Sequence, residues 1–599
     1  MGKALLASDG YLPTQPPKQK RLALVYRSTL LALLLAGAVV LGYSLGHSHW
    51  PSPASGFSRP SSFTRNRRLT TNANKCQDLS KLCPRVDSIF PNDTTRDLES
   101  TLDEIRSPKY VNHLAELLGQ AVRIRTDVSD GAGAVGADPL WGKMSSFTSW
   151  LGGAFPLIHK ELLLEFVNTY GVLYTWTGTD PSLKPILLMG HYDTVLVAPE
   201  TVDTWTYPPF SGHLDDEGYL WGRGSADDKS QVVAILESIE KLLQANFKPR
   251  RTVVVAFGFD EEIGGERGAK NLGLKLHERY GDNGIALVID EGSAMVTEFG
   301  TKFMAVSVTE KGMANQRITV RTPGGHSAIP PPHTGIGIMA ELITEIENHP
   351  YQIRLAKENP FYNLLACGAA YSKDFPEQVK HHIENGDREA LGKDIAQISR
   401  AFEAQVRTTL AVTRIKGGVK VNALPESVTA EINYRIRMGS TSAEITRATE
   451  DLASKVAKKY GLQLIAYPNN ATYPPSSITL EFDFLREPAP VTPHRIDKST
   501  PYRLIAGTTR HVLGEDFVVI PSLNNGNTDT FWYWKVSENL FRYAPMPSAR
   551  ENIHTVNERI SMKVYVRMVE WFFTFIRNAD EADFEAGADR NRNQDVLQG

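Results

Sequence analysis

The sequence predicts an α/β protein. A mostly parallel central sheet forms the main body, a second unit interrupts it, and a single membrane helix precedes it. Three observations carry this expectation. Apolar, β-rich runs such as "PILLMGHYDTV", "RTVVVAFGF" and "IALVIDEG" alternate with amphipathic stretches such as "SQVVAILESIEKLLQANF", as in a parallel sheet covered by helices. The chain has 599 residues, too many for one ordinary core. Its N-terminal part holds one apolar run long enough to cross a bilayer.

That run is residues 28–46, "STLLALLLAGAVVLGYSLG", which carries no charge. Lys18, Lys20, Arg21 and Arg27 precede it, and no Lys or Arg follows until Arg59. The positive-inside rule then makes residues 1–27 a cytoplasmic tail and the body lumenal or extracellular. A cleaved signal peptide is the rival reading. Residues 47–97 are rich in Ser, Pro, Thr, Asn and Arg and read as a stalk with little packed structure. Sequons at Asn92 and Asn470 suit a lumenal body. The chain has three cysteines. Cys76 and Cys83 lie close together and suggest a small local disulfide, leaving Cys367 as a buried thiol.

Charge excludes one class of partner. Lys and Arg number 65 against 68 Asp and Glu, a net charge of −3, and no basic patch is interleaved with aromatics, so no nucleic acid is expected. No repeat of solenoid period is present either.

In open α/β sheets, ligands bind beyond the carboxyl ends of the strands. Three predicted strands end in chemistry: "ILLMGHYDTV" in His191 and Asp193, "RTVVVAFGFDEE" in Glu261 and Glu262, and "ALVIDEG" in Asp290 and Glu291. "WGRGSADDKS" adds Asp227 and Asp228 in a Gly-rich loop before a helix. Each alone has an ordinary explanation: a satisfied core histidine, a helix N-cap, solvated loop charge. Their joint occurrence does not. Imidazole with carboxylate is the donor set for zinc or a similar divalent ion. His191, Asp227, Glu262, Asp290 and, from "NIHTVNE", His554 are the candidate ligands.

The ordered set "GHYDTV", "GRGSADDK", "DEEIGG", "VIDEG", "GGHS" and "NIHTVNE" resembles the di-zinc metallopeptidase family of carboxypeptidase S and the aminoacylases. The likeness spans roughly residues 98–577. It implies two zinc ions, one on His191 and Asp290, the other on Glu262 and His554, with Asp227 bridging. It implies Glu261 as general base to a metal-activated water and Asp193 as the residue that orients His191. The physical roles agree: residues two apart on a strand share a face, so Asp193 can take the second ring proton of His191.

The resemblance also implies a smaller α+β lid and dimerisation domain inserted at residues 304–475, splitting the catalytic domain into 98–303 and 476–578 and leaving 579–599 as a polar tail. His326 of "GGHS" would donate to the oxyanion, with a turn histidine as the ordinary alternative. Asn422 and Arg435 would contact substrate, Arg435 by pairing with a terminal carboxylate. Gly526 and Asp529 would lie on a substrate-facing loop. After "DDK", Ser230 and Gln231 stand where many relatives have Gly. The implied activity is hydrolysis of the C-terminal bond of short peptides, in a vacuolar or secretory lumen, with a homodimer through the lid. An N-acyl-amino-acid amidohydrolase or synthase is the alternative, and an inactive binding protein on the same fold a remote one.

Overall fold

The computed structural model describes residues 79–469, 473–548 and 551–584. Residues 28–46, Cys76 and Asn470 lie outside these, and among the described residues no helix is long and apolar enough to cross a membrane.

The frame is a nine-stranded sheet. Its order runs Met295–Glu298, Thr301–Glu310, Leu540–Tyr543, Leu287–Ser293, Ile186–His191, Val253–Gly258, Gly171–Trp176, Leu163–Val167, with Val518–Asn524 on the second strand. The centre is parallel, as expected: Val253–Gly258, Ile186–His191, Leu287–Ser293 and Leu540–Tyr543 run together. Both margins contain antiparallel pairs, so the whole sheet is mixed. The central strands are apolar throughout because both faces are covered. Ile186 and Leu188 join the cluster that includes Trp571 and Phe572 of helix Met562–Glu581. Leu187 and Met189 join Leu272 and Leu276 of helix Ala269–Tyr280 on the opposite face. Helix Lys229–Gln244 lies on the crossover from the His191 strand to its parallel neighbour Val253–Gly258, since parallel strands cannot be joined by a tight turn.

The inserted domain is a five-stranded sheet, and its limits differ from expectation. Thr301–Glu310 pairs with Val518–Asn524 in the central sheet, while Ser477–Arg486 pairs with Gly312–Arg321 in the inserted one. The strands of the inserted sheet therefore lie between Gly312 and Arg486, and Thr301–Glu310 belongs to the central sheet. Both boundary strands are β-rich and apolar, and alternation does not reveal which sheet a strand joins. One face of this sheet is covered by helices Gly335–Asn348 and Ser442–Tyr460.

The helical stretch between them belongs elsewhere. Leu364, Leu365, Leu391, Ile395 and Phe402 pack with Phe303, Ala305, Val518 and Ile520 of the central sheet. This bundle is thus an outgrowth of the catalytic domain that leaves and re-enters through the lid.

Two further expectations need correction. Cys83 is bonded to Cys367, 284 residues away, and not to Cys76. Helix Phe361–Tyr371 brings the third cysteine against the N-terminal segment, a contact that sequence spacing does not disclose. The stalk also ends early. Ile89 N–H donates to Gly507 O at 3.1 Å, Asn578 donates to Ile89 O at 3.1 Å, and Tyr371 Oη donates to Cys83 O at 2.9 Å. Residues 83–93 are a strap across the body. Asn92 is exposed, with its Nδ2 donating to Glu581 at 2.6 Å.

Replacing Cys83 and Cys367 together by Ser should lower unfolding free energy by about 2–4 kcal/mol, the range for a native crosslink. Chemical denaturation measures this. Cys76→Ser should leave stability unchanged, and the reverse pattern would restore the local pairing.

Candidate active site

The carboxyl ends of three parallel central strands converge. His191 ends its strand, Glu261 and Glu262 follow Val253–Gly258 in a single 3₁₀ turn, and Glu291 lies in Leu287–Ser293. The turn depends on glycine: Gly264 and Gly265 have φ of 100° and 67°, which β-carbon sterics disfavour. A β-carbon on Gly265 would also stand 2.2 Å from Asp529 Oδ1.

Asp193 organises the group. It is fully buried, and its Oδ1 and Oδ2 accept the N–H groups of Glu261 and Glu262, each at 3.1 Å. His191 Nδ1 lies 3.1 Å from Asp193 O and 3.3 Å from Asp193 Oδ1. Both partners are acceptors, so the proton sits on Nδ1 and the Nε2 lone pair faces the site.

Two triads then share one carboxylate. His191 Nε2 lies 3.3 Å from Asp227 Oδ1 and 3.2 Å from Glu291 Oε1. His554 Nε2 lies 3.2 Å from Asp227 Oδ2 and 3.1 Å from Glu262 Oε2. Glu261 Oε2 stands 3.9 Å from His191 Nε2. His554 arrives on an irregular loop in which Asn552, His554 and Asn557 have φ of 57°, 61° and 64°. The left-handed region is sparsely populated outside glycine, Asn and His being among the exceptions.

The electrostatics are those of a cation site. Burial pushes the Glu262 carboxyl up to about 7, partly offset by its hydrogen bond from His554. Burial drives Glu261 well above the carboxylate range, and the charges of Glu291, Asp529 and Glu262 add to this. Hydrogen bonds to Asp227 and Glu262 hold His554 up at about 10. Burial disfavours charge on His191, but bonds to Asp193, Asp227 and Glu291 outweigh it, and its pKa stands well above the usual value. Among the described residues, Glu262 Oε1 is buried with no hydrogen-bond partner. Ligand atoms of His191, Asp227 and Glu262, and of His191, Asp228 and Glu291, each lie within 4.8 Å of one another. The donor set fits divalent metal.

The adjacent acids Asp290 and Glu291 both stand at the group. Glu291 Oε1 faces His191 Nε2 and the carboxylate borders the adjoining cavity. Asp290 Oδ1 accepts the Glu291 N–H at 2.9 Å, its Oδ2 is buried with no hydrogen-bond partner among the described residues, and burial with the Glu291 charge pushes its carboxyl up to about 7, partly offset by the charge of His191. The strand carries a β-bulge between Asp290 and Ser293, where the two-residue alternation of side chains breaks down.

A cavity of about 380 Å³ opens onto the group, walled by Asp227, Glu261, Glu291 and His554, with Met295, Ile553, Asn524, Gly526 and Asn527 among the others. Gly526 borders this cavity, and Asp529 is buried against Gly258 and Gly265. Arg435 is half-buried and reaches the rim, its Nη1 donating to Asn527 Oδ1 at 2.7 Å. His326 and Asn422 share a two-stranded ladder at the lid, Ser327 N–H donating to Asn422 O at 3.2 Å. Both are exposed and neither lines the cavity. Sequence reading missed Asn524 and Asn527, whose signal was the polar run "NNGNTD". It also missed Arg486, buried, whose Nη2 donates to Gly264 O at 2.6 Å and supports the acidic turn. The "FWYW" segment is core: Tyr533 is buried in the second apolar cluster, with Trp532 and Trp534 packed against it.

Residues 187–578 match the sequence profile of peptidase family M20/M25/M40. The chain belongs to this family. Membership makes it a hydrolase of peptide or amide bonds, in a family that depends on metal, typically zinc. It is 36% identical to carboxypeptidase S of Saccharomyces cerevisiae over 95% of this chain and 99% of that one. It is 32% identical to the human N-fatty-acyl-amino acid synthase/hydrolase PM20D1 over 73% and 83%. The family fold recurs in the dipeptidase Dug1p of S. cerevisiae at a TM-score of 0.58 and 15% identity, covering 81% of this chain and 99% of that one. Human carnosine dipeptidase 1 gives 0.58 and 14%, covering 82% and 100%.

Glu291→Gln should weaken zinc binding at least tenfold, and Asp290→Asn distinctly less. Zinc titration of the two variants decides between the neighbouring acids; the opposite order would make Asp290 the ligand.

Proposed function

We propose that the protein is a zinc-dependent carboxypeptidase that removes the C-terminal residue of short peptides. One observation carries the reading: the two oxygens of Asp227 face different imidazoles, each with its own glutamate. His191 and Glu291 would hold one zinc ion, Glu262 and His554 a second, and Asp227 both. When bound, such a pair supplies Lewis acidity and lowers the pKa of water from ~15.7 towards ~7.

The chain's own residues do the rest. Glu261 lines the cavity beside the triads and is the group to take the proton of the attacking water and pass it to the leaving amine. Asp193 sets the backbone of Glu261 and Glu262 and the tautomer of His191. Arg435, at the rim, is the cation for a substrate's terminal carboxylate. An N-acyl amino acid offers the same amide and carboxylate, and likeness to the synthase/hydrolase supports amidohydrolase activity as a second reading.

The same proposal places the body in a lumen, vacuolar or secretory, behind a membrane anchor at residues 28–46, with Asn92 and Asn470 as glycan acceptors. The Cys83–Cys367 bond supports an oxidising compartment. Ile329, Val419 and Val421 are strongly exposed beside His326 and Asn422, and this apolar lid surface supports pairing with a second copy.

Chelation should abolish peptidase activity and zinc restore it. Glu261→Gln should keep its zinc and lose nearly all turnover; metal analysis with wild-type rates in that variant would remove the base assignment. Arg435→Ala should lower kcat/KM for free-acid dipeptides by roughly 2–5 kcal/mol, the cost of breaking a buried charge pair. C-terminally amidated analogues should be poor substrates throughout; equal cleavage of both by the wild type would favour a broader amidohydrolase.

A further inference from the structure

Glu558, four residues beyond His554, has no part in the chemistry above and is wholly buried. Its Oε1 accepts three backbone N–H groups, from Gly224 at 3.0 Å, Ala226 at 2.9 Å and Asp227 at 3.1 Å. Its Oε2 accepts from Arg223 Nη1 at 2.6 Å. The same arginine donates through Nη2 to Thr555 O at 3.2 Å, next to His554. Gly222 N–H closes the arrangement on Glu558 O at 2.9 Å.

Every hydrogen-bonding group of this clamp belongs either to the loop that presents Asp227 or to the loop that presents His554. The loops lie 331 residues apart at the Asp227–Glu558 bond. Both are irregular; the ladder of Tyr219–Trp221 with Arg559–Ser561 ends at the Trp221–Arg559 pair, and from there to Asp227 and His554 the clamp carries the tie between the loops. A buried carboxylate receiving several N–H groups and a guanidinium is a strong, directional tie.

We propose that Glu558 is a positioning residue: it fixes the Asp227 carboxylate and the His554 imidazole relative to each other and so sets the zinc affinity of the His554–Glu262 half of the centre. This rests on the two-metal reading. Glutamine at 558 has the same shape, yet it must turn its NH₂ either on Arg223 or on the three N–H groups. Partners of this kind typically govern metal affinity by 10–100-fold.

The test is zinc titration of the purified full-length protein in metal buffers, with circular dichroism recorded alongside. The wild type should take up two zinc ions. Glu558→Gln should keep a native spectrum and bind one of them about 10–100-fold more weakly, with Glu558→Asp partly restoring it. If Glu558→Gln does not fold, Glu558→Asp alone should show the weakening, because it withdraws the carboxylate by one methylene. Unchanged affinity for both ions, with only a lower Tm, would reduce Glu558 to a structural residue and overturn the proposal. A wild type that binds fewer than two ions would instead remove the two-metal reading on which it stands.

Discussion

Negative charge gathered at one end of a parallel sheet is the constraint on which the rest of the molecule depends. Asp193, Asp227, Glu261, Glu262 and Glu291 stand around two imidazoles. In a low-dielectric setting such a group is unfavourable without cations. The protein meets the cost with devices that hold the side chains still. Asp193 fixes the acidic turn from below, Arg486 supports it from the lid strand, and Glu558 joins the two irregular loops. Sheet core, turn glycines and clamp make sense as one arrangement: a rigid base for a charge cluster that would otherwise spread apart.

The second theme is how far sequence neighbours are separated in space. The chain leaves the catalytic sheet at Glu310, builds part of a lid, returns to add helices against that sheet, and goes back to finish the lid. The lid is therefore tied to the body by several crossings rather than one hinge. Arg435 on a lid strand bonds to Asn527 on a catalytic loop, so the cavity rim is assembled from both.

Much of the site was legible because its residues follow strands, and strand ends are visible as apolar runs that stop. His191, Glu261 and Glu262 were placed in this way, and His554 stood out in a polar loop with no apolar role. What failed depended on pairing. Asp290 and Glu291 are neighbours on a bulged strand, and Glu291, which drew no role from the sequence, borders the cavity. Thr301–Glu310 and Ser477–Arg486 look like ordinary strands, and only the fold assigns each to its sheet. Cys83 found Cys367 because a distant helix packs there.

The crosslink from Cys83 to Cys367 has a mechanical meaning. It closes a covalent loop over residues 84–366, which contains His191, Asp227, Glu261, Glu262 and Glu291. A pull on the chain ahead of Cys83 divides there, part following the backbone and part crossing sulfur to the helix Phe361–Tyr371, which packs on Phe303, Val518 and Ile520. That second path reaches the margin of the central sheet and bypasses the strands that aim the ligands.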